Sequence, residues 1–462
     1  MTRDFPAQPS AVPRLPSPWP LSLACLALTV AGCASTPPAP TAGPGVVTAA
    51  APAVAAAPPA PAAQPPAASA PPAAAPADPQ AYPSAAAEQA SFAAWVSAFG
   101  RDAQAAGVRA STVDQVLGSA RLLPRVIELD RAQPEFTRTP WAYLDSAVSA
   151  QRIAAGRAKR AEYSAPLAAA EARYGVPAAV ITAIWGMESN YGGNFGSFRA
   201  VDALATLAFE GRRRDWARSE LLAALRIVDQ GDIAADRMVG SWAGAMGHTQ
   251  FLPSVFLAHA VDADGDGRRD IWGSIPDVTA STANYLASAG WRRGEPWGVE
   301  VRLPTGFDHA QAELSVRQPS AQWTARGVTA VDGQPLPAFE AASVIAPAGA
   351  RGPAFLVGPN FRAILRYNNS VNYALGVGLL ARQLDGGAGV TASWPRDLQP
   401  LNRSQVMDLQ NGLNRKGFSA GTADGVFGPA TRAGLRQFQQ SQGLEADGYP
   451  TLELLQRLTS GG

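Results

Sequence analysis

Lysine is almost absent from this chain of 462 residues: Lys159 and Lys416 are the only two, and arginine supplies the remaining positive charge. Acidic and basic side chains nearly balance, and the formal net charge is +1 at pH 7. A protein without an excess of either sign has no long-range field that attracts nucleic acid or anionic lipid. The composition therefore predicts no nucleic-acid partner.

Residues that bind transition metals are also scarce. The chain has three histidines and two cysteines, and they form neither a His-x-x-x-His nor a Cys-x-x-Cys pattern. Both spacings are typical of zinc sites, and a cysteine protease needs a paired cysteine and histidine. A zinc hydrolase and a cysteine protease are therefore not indicated.

The N-terminal apolar run, Leu21–Gly32, has 12 residues, which is too short to span a bilayer as a helix but suits a signal peptide. It ends in Val30-Ala31-Gly32-Cys33, which resembles the lipobox at which bacterial lipoproteins are cleaved and acylated. We predict a lipoprotein signal peptide over residues 1–32 and lipidation of Cys33. The alternative is an ordinary secretory signal with a chance cysteine.

The residue after this cysteine bears on location. Ala34 is not the aspartate that retains some lipoproteins in the inner membrane. We therefore expect a lipid-anchored protein on the periplasmic side of a bacterial envelope, at the outer membrane. Residues 33–87 are mostly alanine and proline, a composition that buries too little surface to offset the entropy of ordering. We predict an extended tether, which at roughly 3 Å per residue reaches on the order of 100 Å.

From residue 88 onward, apolar residues recur with helical spacing, with glycine or proline between the segments. Residues 88–386 are therefore predicted to form a mainly helical domain. Between 297 and 361, short β-branched runs separated by proline and glycine indicate a small β-rich insertion. Residues 387–400 are predicted to be a linker, and 401–462 a small C-terminal domain. The predicted helical segments after the first are Ser111–Ala120, Trp141–Ala172, Pro177–Ser189, Arg218–Gln230, Pro276–Ala289 and Asn372–Leu384.

One carboxylate falls on the apolar face of a predicted helix. Pro177 suits the start of this helix, and Ile181, Ile184 and Glu188 share one face before Gly192-Gly193 ends it. The helix dipole and apolar surroundings both disfavour the ionised form of Glu188, so we expect a raised pKa. A carboxyl group that is protonated near neutral pH can act as a general acid toward a glycosidic oxygen. The alternative is a solvated glutamate at a frayed helix end.

Several motifs in one order resemble a known family. Two of them are Trp185-Gly186-Met187-Glu188-Ser189-Asn190-Tyr191-Gly192 and Gly244-Ala245-Met246-Gly247-His248-Thr249-Gln250-Phe251-Leu252-Pro253. The others are Ser241-Trp242-Ala243-Gly244, Asn284-Tyr285-Leu286 and Tyr367-Asn368-Asn369-Ser370-Val371-Asn372-Tyr373-Ala374. Together they resemble the lytic murein transglycosylase B family, whose catalytic domain is lysozyme-like. The resemblance covers about Ser91 to Leu384.

This resemblance implies that Glu188 is the only catalytic carboxylate of an enzyme that cleaves peptidoglycan. Glu188 would protonate the oxygen leaving C1 of N-acetylmuramic acid and then accept the proton of the same sugar's 6-hydroxyl, which closes a 1,6-anhydro ring without water. Most glycosidases use two carboxylates. The nearest acids in the sequence, Glu171 and Asp202, do not flank Glu188 locally, which agrees with one acid, although a distant aspartate could fold into place.

The resemblance also implies residues that bind the sugars. Ser241 would bond the acid or the muramoyl acetamido group, and Gln250 and Phe251 would lie near the scissile bond. The cleft would be lined by Tyr285, Tyr367, Asn368 and Tyr373. Tyrosine suits this role because its ring packs on a sugar while its hydroxyl bonds to the sugar's edge, although each one taken singly could be a core aromatic.

Arg213 and Arg214 are two further candidates, because neighbouring arginines can dock carboxylates of the peptide stem. The alternative is an ordinary solvated surface.

An acidic loop has the spacing of a calcium site. Positions 1, 3, 5 and 9 of this EF-hand-like loop are the acids Asp262, Asp264, Asp266 and Asp270. Position 7 is Arg268, which would contribute its backbone carbonyl. Gly273 stands at position 12 instead of glutamate, and Asp277 would be a late ligand, as in family members whose similar loop binds calcium. We predict a structural Ca²⁺ and no cofactor for the chemistry. The alternative is an Asp-Gly turn held by bonds to the backbone.

The C-terminal segment has Asp-Gly turn signals between apolar positions of helical spacing. Its runs Asp424-Gly425-Val426-Phe427-Gly428, Phe438-Gln439 and Asp447-Gly448 resemble the peptidoglycan-binding type 1 module, a three-helix bundle. The predicted fold class is thus mainly α: a lysozyme-like helical domain with a small β-rich insertion, plus this bundle. The alternative is a helical domain with another partner.

Three functions remain open from the sequence: a lytic transglycosylase of the envelope, a non-catalytic wall-binding scaffold, and a hydrolytic muramidase. Glu188, Gln250 and the tyrosines together favour the first. The predicted partners are peptidoglycan strands and, through Cys33, a membrane, and the sequence indicates no particular protein partner. Products separate the two enzymes, because hydrolysis leaves a reducing end and transglycosylation an anhydro end.

Overall fold

The structure, a computed structural model, describes residues 85–132 and 138–460. The predicted signal peptide, Cys33 and most of the predicted tether lie outside these ranges. Gln89–Gly462 belong to one unit, and every contact described below lies within it. The helices of the larger domain are α1 Ala85–Ala105, α2 Ala110–Leu117, α3 Pro124–Arg131, α4 Pro140–Ala147, α5 Ala150–Glu162, α6 Ser164–Tyr174, α7 Ala178–Ser189, α8 Ala200–Glu210, α9 Arg214–Gln230, α10 Pro253–His259, α11 Ile275–Ser288, α12 Ser320–Ala325, α13 Pro359–Tyr367 and α14 Val371–Leu384.

Serine and threonine caps set several helix starts, and one of them, Ser149, divides a segment predicted as one helix. Trp141–Ala172 is three helices, α4, α5 and α6. The hydroxyl of Thr139 accepts the N–H of Ala142 at the start of α4, and that of Ser149 accepts the N–H of Arg152 at the start of α5. Each cap satisfies a backbone donor that a continuous helix would have bonded internally.

Helix α7 lies between two apolar cores. Ile181 and Ile184 are fully buried in the core that includes residues of α13 and α14, whereas Trp185 belongs to the core that includes residues of α8 and α9. Burying side chains of this size contributes roughly 1.5–3 kcal/mol each, so the position of α7 is strongly fixed. Glu188 stands in its last turn, on the boundary between the cores.

Helix α7 ends at Ser189, the last residue of the predicted segment Pro177–Ser189, and Gly192-Gly193 follow it. Asn190 and Tyr191 follow with φ values of 49° and 59°, a left-handed conformation that is unusual for a tyrosine. Packing explains it: the Tyr191 hydroxyl donates to the carbonyl of Arg152 at 2.9 Å. Its ring lies so close to Gly186 that a Cβ there would come within 2.6 Å of it.

The predicted β-rich insertion is confirmed. A two-stranded ribbon precedes it and pairs β1 Phe198–Arg199 with β2 Val239–Gly240. The strands of the insertion are β3 Gly298–Arg302, β4 Thr329–Ala330, β5 Ser343–Ile345 and β6 Ala354–Val357. They form an antiparallel sheet of order β4-β3-β6-β5, with Val299 opposite Leu356 and Val301 opposite Ala330. The buried ring of Trp323 on α12 fills the core of the insertion.

The C-terminal domain has three helices, as the resemblance implied: α15 Arg403–Arg415, α16 Pro429–Ser441 and α17 Leu452–Ser460. Asn402 and Gln405 form a capping box at the start of α15. The domain contacts the β-rich insertion through Glu313, which lies 3.2 Å from Arg432 Nε and 2.9 Å from Arg436 Nη1. The carboxylate of Asp447 also accepts the N–H of Ala350 at 3.0 Å.

Among the helices in the described ranges, none is by itself long and apolar enough to cross a membrane. Helices α6 and α7 are long and apolar enough only when taken together, and they are bent by 113° relative to each other.

Two glycines of α14 differ in the space around them, which gives a matched test of packing. A Cβ at Gly378 would lie 2.5 Å from Cε2 of the Trp297 ring, whereas one at Gly376 would lie 3.1 Å from the mobile methyl of Met187. Alanine gains about 1 kcal/mol over glycine in a helix, but overpacking costs roughly 1–3 kcal/mol. We expect Gly378→Ala to lower the free energy of unfolding and Gly376→Ala to leave it equal or raise it. Thermal unfolding followed by circular dichroism measures both, and equal midpoints would contradict this account.

Candidate active site

The candidate acid is placed by the last turn of α7. Glu188 is partly buried, and every residue of α7 before Met187, apart from Ala178, is buried. Burial raises the pKa of Glu188 to about 7, while a hydrogen bond from Tyr373 opposes that increase. The direction agrees with the sequence expectation, and burial is the main cause. Near neutral pH this carboxyl group therefore exists in both protonation states.

Tyr373 is the direct partner of the acid. Its hydroxyl donates to Oε1 of Glu188 at 2.6 Å. The N–H of Tyr373 is itself capped by Ser370 at the start of α14, so the cap fixes the point at which the tyrosine leaves the helix. Burial and the charge of Glu188 hold the pKa of Tyr373 well above its ordinary value. The phenol therefore stays a hydrogen-bond donor to the carboxylate.

The other predicted aromatic residues form a cluster beside this pair. The ring of Phe251 lies 5.7 Å from that of Tyr285 and 5.8 Å from that of Tyr367. The rings of Tyr285 and Tyr367 are 4.9 Å apart, edge to face. Their hydroxyls donate to the carbonyls of Arg366 and Thr249. The charge of Glu188 helps to raise the pKa of Tyr367, which places this tyrosine near the acid.

The second motif forms a tight loop that carries Gln250. The backbone of Gln250 is left-handed, with φ of 50°, and its side-chain amide donates to the carbonyls of Phe195 and Gly247 at 3.0 and 2.9 Å. The amide nitrogen is therefore engaged inside the protein. Ser241 is buried, and its hydroxyl accepts the N–H of Ala245 at 3.1 Å, so it stabilises its own turn.

Asn368 follows α13 directly and is the remaining member of the predicted sugar-binding set. Its side-chain oxygen Oδ1 is buried and has no hydrogen-bond partner within the part of the chain that the structure describes. An unpaired buried acceptor costs free energy that a ligand can recover. Asn368 is thus suited to accept a hydrogen bond from a sugar hydroxyl or an acetamido group.

The two predicted arginines lie in another part of the structure. Arg213 is 3.4 Å from the buried carboxylate of Asp130, and its guanidinium lies 3.9 Å from the ring of Trp216. Arg214 begins α9. The contacts of the described residues do not join either arginine to the Glu188 cluster, so the docking of a peptide stem there stays a prediction.

Tyr143 and His248 also belong to this site, although neither was predicted as a site residue. The charge of Glu188 helps to raise the pKa of Tyr143 to about 12, with burial as the larger cause, so this α4 tyrosine also faces the acid. His248 accepts the indole N–H of Trp185 at Nδ1 at 3.0 Å, and its carbonyl accepts the hydroxyl of Ser189 at 2.9 Å. His248 thereby attaches the second motif to α7. No local pattern links either residue to Glu188.

The two acids nearest to Glu188 in the sequence have hydrogen-bond partners in other parts of the structure. Glu171 accepts the N–H of Ala178 at the start of α7 at 2.9 Å. Asp202 is buried and interacts with Arg199 and the N–H of Arg121. Within residues 85–132 and 138–460, no second carboxylate contributes to the pKa of Glu188.

The acidic loop gathers three of its six predicted ligands. One carboxylate oxygen from each of Asp262, Asp264 and Asp277 lies within 4.8 Å of the other two. Two oxygens bound to one Ca²⁺ at roughly 2.4 Å can be at most about 4.8 Å apart, so the spacing fits one ion. Asp266 and Asp270 lie outside this cluster and accept N–H groups of the loop. Asp262 and Asp264 accept loop N–H groups as well.

The carboxylate of Asp277 is the buried member of this cluster. It accepts the N–H groups of Ala263 and Asp270, each at 2.7 Å. Burial and the nearby charge of Asp264 raise its pKa to about 6. A divalent cation among three such acids would offset both effects.

Comparison with known proteins agrees with this arrangement. Residues 91–382 match the family Transglycosylase SLT domain, and residues 402–458 match a peptidoglycan binding domain family. Membrane-bound lytic murein transglycosylase B of Escherichia coli (strain K12) is 32% identical over 287 residues, which cover 59% of this chain and 77% of that protein.

Solved structures extend the comparison to the fold. The chain is 51% identical to SltB3 from Pseudomonas aeruginosa in complex with NAG-anhNAM-pentapeptide, with a TM-score of 0.78 over 80% of this chain and 99% of that one. It is 29% identical to the Escherichia coli lytic transglycosylase Slt35 in complex with calcium, with a TM-score of 0.55 over 65% of this chain and 94% of that one. These relatives are lytic transglycosylases, and the predicted family and fold class are confirmed.

The family match spans more than half of the chain and includes Glu188, the second motif and the tyrosine cluster. The chain therefore belongs to the Transglycosylase SLT domain family and carries a C-terminal peptidoglycan binding domain.

Proposed function

We propose that this protein is a lytic transglycosylase that cleaves the β-1,4 bond between MurNAc and GlcNAc in peptidoglycan and leaves 1,6-anhydro-MurNAc ends. The observation that carries the proposal is Glu188, a partly buried carboxyl with a pKa of about 7 bonded to Tyr373. A relative of this chain, SltB3, was solved with NAG-anhNAM-pentapeptide, a ligand with the anhydro end that the proposed reaction forms.

Glu188 first acts as the acid. Its proton passes to the glycosidic oxygen as that oxygen leaves C1 of MurNAc, and positive charge develops at C1. The bond from Tyr373 to Oε1 supports this step, because a hydrogen bond to the ionised carboxylate stabilises it once the proton has left. Oε2 is then the oxygen suited to carry the proton.

Glu188 next acts as the base. The carboxylate accepts the proton of the MurNAc 6-hydroxyl as O6 bonds to C1, so the ring closes without water and the acid is protonated again. One carboxyl group suffices because the nucleophile belongs to the substrate and needs no second activating group. This agrees with the lack of another carboxylate acting on Glu188 in the described ranges.

The rest of the chain supports a role in cell-wall turnover or remodelling. The C-terminal domain would bind the wall beside the cleft, in keeping with its family match. Cys33 and the tether would hold the enzyme on the periplasmic side of the envelope, at the outer membrane. The lipobox and the name of the membrane-bound Escherichia coli relative support this location.

Replacing the acid tests the function directly. We expect Glu188→Gln to lower the release of muropeptides by about 10²–10⁴-fold, the usual contribution of a general acid, because glutamine occupies a similar volume but donates no acidic proton. The measurement is mass spectrometry of the products that the full-length protein in detergent releases from purified sacculi. Products of the unaltered protein should be lighter by one water than those of a hydrolase.

Each other outcome identifies a different function. Products that retain the extra water would indicate a hydrolytic muramidase with a second group not yet found. If neither protein releases anything and both sediment with sacculi, the chain is a wall-binding scaffold. The control is Asp332→Asn, which changes an exposed acid of the β-rich insertion and leaves both Glu188 and the start of α7 intact.

The Tyr373 bond predicts a change in pH dependence. Glu188 must be protonated to act as the acid, so activity falls as pH rises through its pKa. Because the hydrogen bond from Tyr373 lowers the pKa of Glu188, Tyr373→Phe should raise this pKa and move the alkaline limb of kcat to higher pH. Tyr367→Phe is the matched control, because the Tyr367 hydroxyl donates to Thr249 and not to the acid. An unchanged limb in Tyr373→Phe would show that this bond does not set the pKa.

We also propose that the acidic loop holds a structural Ca²⁺ through Asp262, Asp264 and Asp277. The spacing of their carboxylates fits one ion, and a relative, Slt35, was solved with calcium. Oxygen ligands suit calcium. The ion would stabilise the loop, and the residues of the chain perform the chemistry.

Calorimetric titration with Ca²⁺ and thermal unfolding test this site. A ligand at 100 times its Kd stabilises the folded state by about 2.7 kcal/mol, so Ca²⁺ should raise the unfolding midpoint relative to chelator. Asp277→Asn should weaken binding at least tenfold, whereas Asp332→Asn, an exposed acid of the insertion, should not change it. The same midpoint with calcium and with chelator would identify an Asp-Gly turn held only by hydrogen bonds.

A further inference from the structure

The segment between the two matched families contacts the helical domain closely. Residues 391–397, here called the strap, lie outside the Transglycosylase SLT domain match, which ends at 382, and before the C-terminal domain match, which begins at 402. The strap lies within the predicted linker. Its first contact is with Glu300, a buried carboxylate on β3 that accepts the N–H of Thr391 at 2.8 Å and that of Ala392 at 2.7 Å.

The strap then crosses helix α4. The ring of Trp394 lies 6.4 Å from that of Trp141. The guanidinium of Arg396 binds both oxygens of Asp145, at 2.6 and 2.9 Å. Trp141 and Asp145 are four residues apart and therefore share one face of α4. This face of the helix is held by the strap.

The opposite side of α4 faces the acid. Tyr143 and Ala147 pack beside Gly376 of α14: a Cβ there would lie 3.5 Å from Cε1 of Tyr143, 3.4 Å from Ala147 and 3.1 Å from Met187. Met187 directly precedes Glu188, and the charge of Glu188 acts on the Tyr143 hydroxyl. Helix α4 is thus held between the strap and the residues around the acid.

We propose that Trp394 and Arg396 of the strap are positioning residues that hold α4 against α14 and so keep Tyr143 beside Glu188. The strap then helps to position the residues of the active site. A chain that ended before the strap would lose this positioning in addition to its C-terminal domain. This inference rests on the proposed function for its effect on catalysis, and on the contacts of α4 for its effect on Tyr143.

The typical free energies of these two contacts indicate what their loss would do to α4. Exposed ion pairs are worth about 0–1 kcal/mol and a pair of aromatic rings about 0.5–1.5 kcal/mol beyond its buried area. Losing both contacts therefore leaves the domain folded but loosens one short helix. A misplacement on the order of 1 Å at a reacting centre can cost about 100-fold in rate, so a small loss of stability gives a large loss of activity.

The kinetic test uses the full-length protein in detergent with soluble glycan strands. Trp394→Ala combined with Arg396→Ala should lower kcat by about tenfold or more, with KM changed less than threefold. Sedimentation with sacculi should be unchanged, because the C-terminal domain is intact. Arg125→Ala is the control: it breaks an exposed ion pair, 2.8 Å from Glu128 within α3, far along the chain from the strap. Equal kcat in the strap variant and this control would overturn the proposal.

Charge reversal separates positioning from general damage. Asp145→Arg and Arg396→Asp each place like charges together and should lower kcat, whereas the double variant restores an opposite pair and should recover at least half of the lost activity. A double variant as impaired as the worse single variant would contradict the proposed role of this pair.

A readout without turnover tests the strap independently of the proposed function. The ¹³C-tyrosine resonance of Tyr143, assigned with Tyr143→Phe, should become more accessible to a soluble paramagnetic probe in the strap variant and stay protected in Arg125→Ala. If the accessibility of the Tyr143 resonance to the probe is the same in the strap variant as in the unaltered protein, the strap proposal is overturned, even if the enzyme is active. If the unaltered protein forms no anhydro products but Tyr143 is exposed by the strap variant, the proposed function fails and the structural role of the strap stands.

Discussion

The structure depends on one constraint: a carboxyl group must stand in the last turn of a helix that two apolar cores hold on both sides. Ile181 and Ile184 anchor α7 in the core that it shares with α13 and α14, and Trp185 anchors it in the core that it shares with α8 and α9. Because the helix cannot rotate without exposing one of these sets, Glu188 stays at the boundary of the cores. Its raised pKa follows from this position, since burial is the main cause.

The same constraint explains why two motifs that are far apart in sequence function together. Helix α7 must stop immediately after Glu188, and the left-handed residues Asn190 and Tyr191 turn the chain back so that Tyr191 packs on Gly186. Ser189 and Trp185 then bond His248 of the second motif. This attachment brings the loop of Gln250 and Phe251 to the end of the helix. The local strain at Asn190, Tyr191 and Gln250 therefore lies where the cleft is assembled.

Much of this could be predicted from the sequence, because the signals were local. The face shared by Ile181, Ile184 and Glu188 gave the acid, and β-branched runs between proline and glycine gave the insertion. Helix α8 was not among the predicted segments; nine of its 11 residues are buried, so it lacks the wide polar face that marks a surface helix. Tyr143 was missed because its relation to Glu188 exists only after α4, α7 and α14 have packed together.

The acidic loop shows how a site remote from the sugar cleft can still matter to it. Asp277 accepts the N–H of Asp270, and the next residue, Ile271, accepts the N–H of His248 at 2.9 Å. His248 in turn accepts bonds from Trp185 and Ser189 on either side of the acid. A cation at the proposed calcium site would therefore stiffen the support of the second motif, and through it the end of α7, without touching substrate. The connection consists of three successive hydrogen-bonded contacts, so an ion at the loop would act as a support for the position of α7 while Glu188 performs the chemistry.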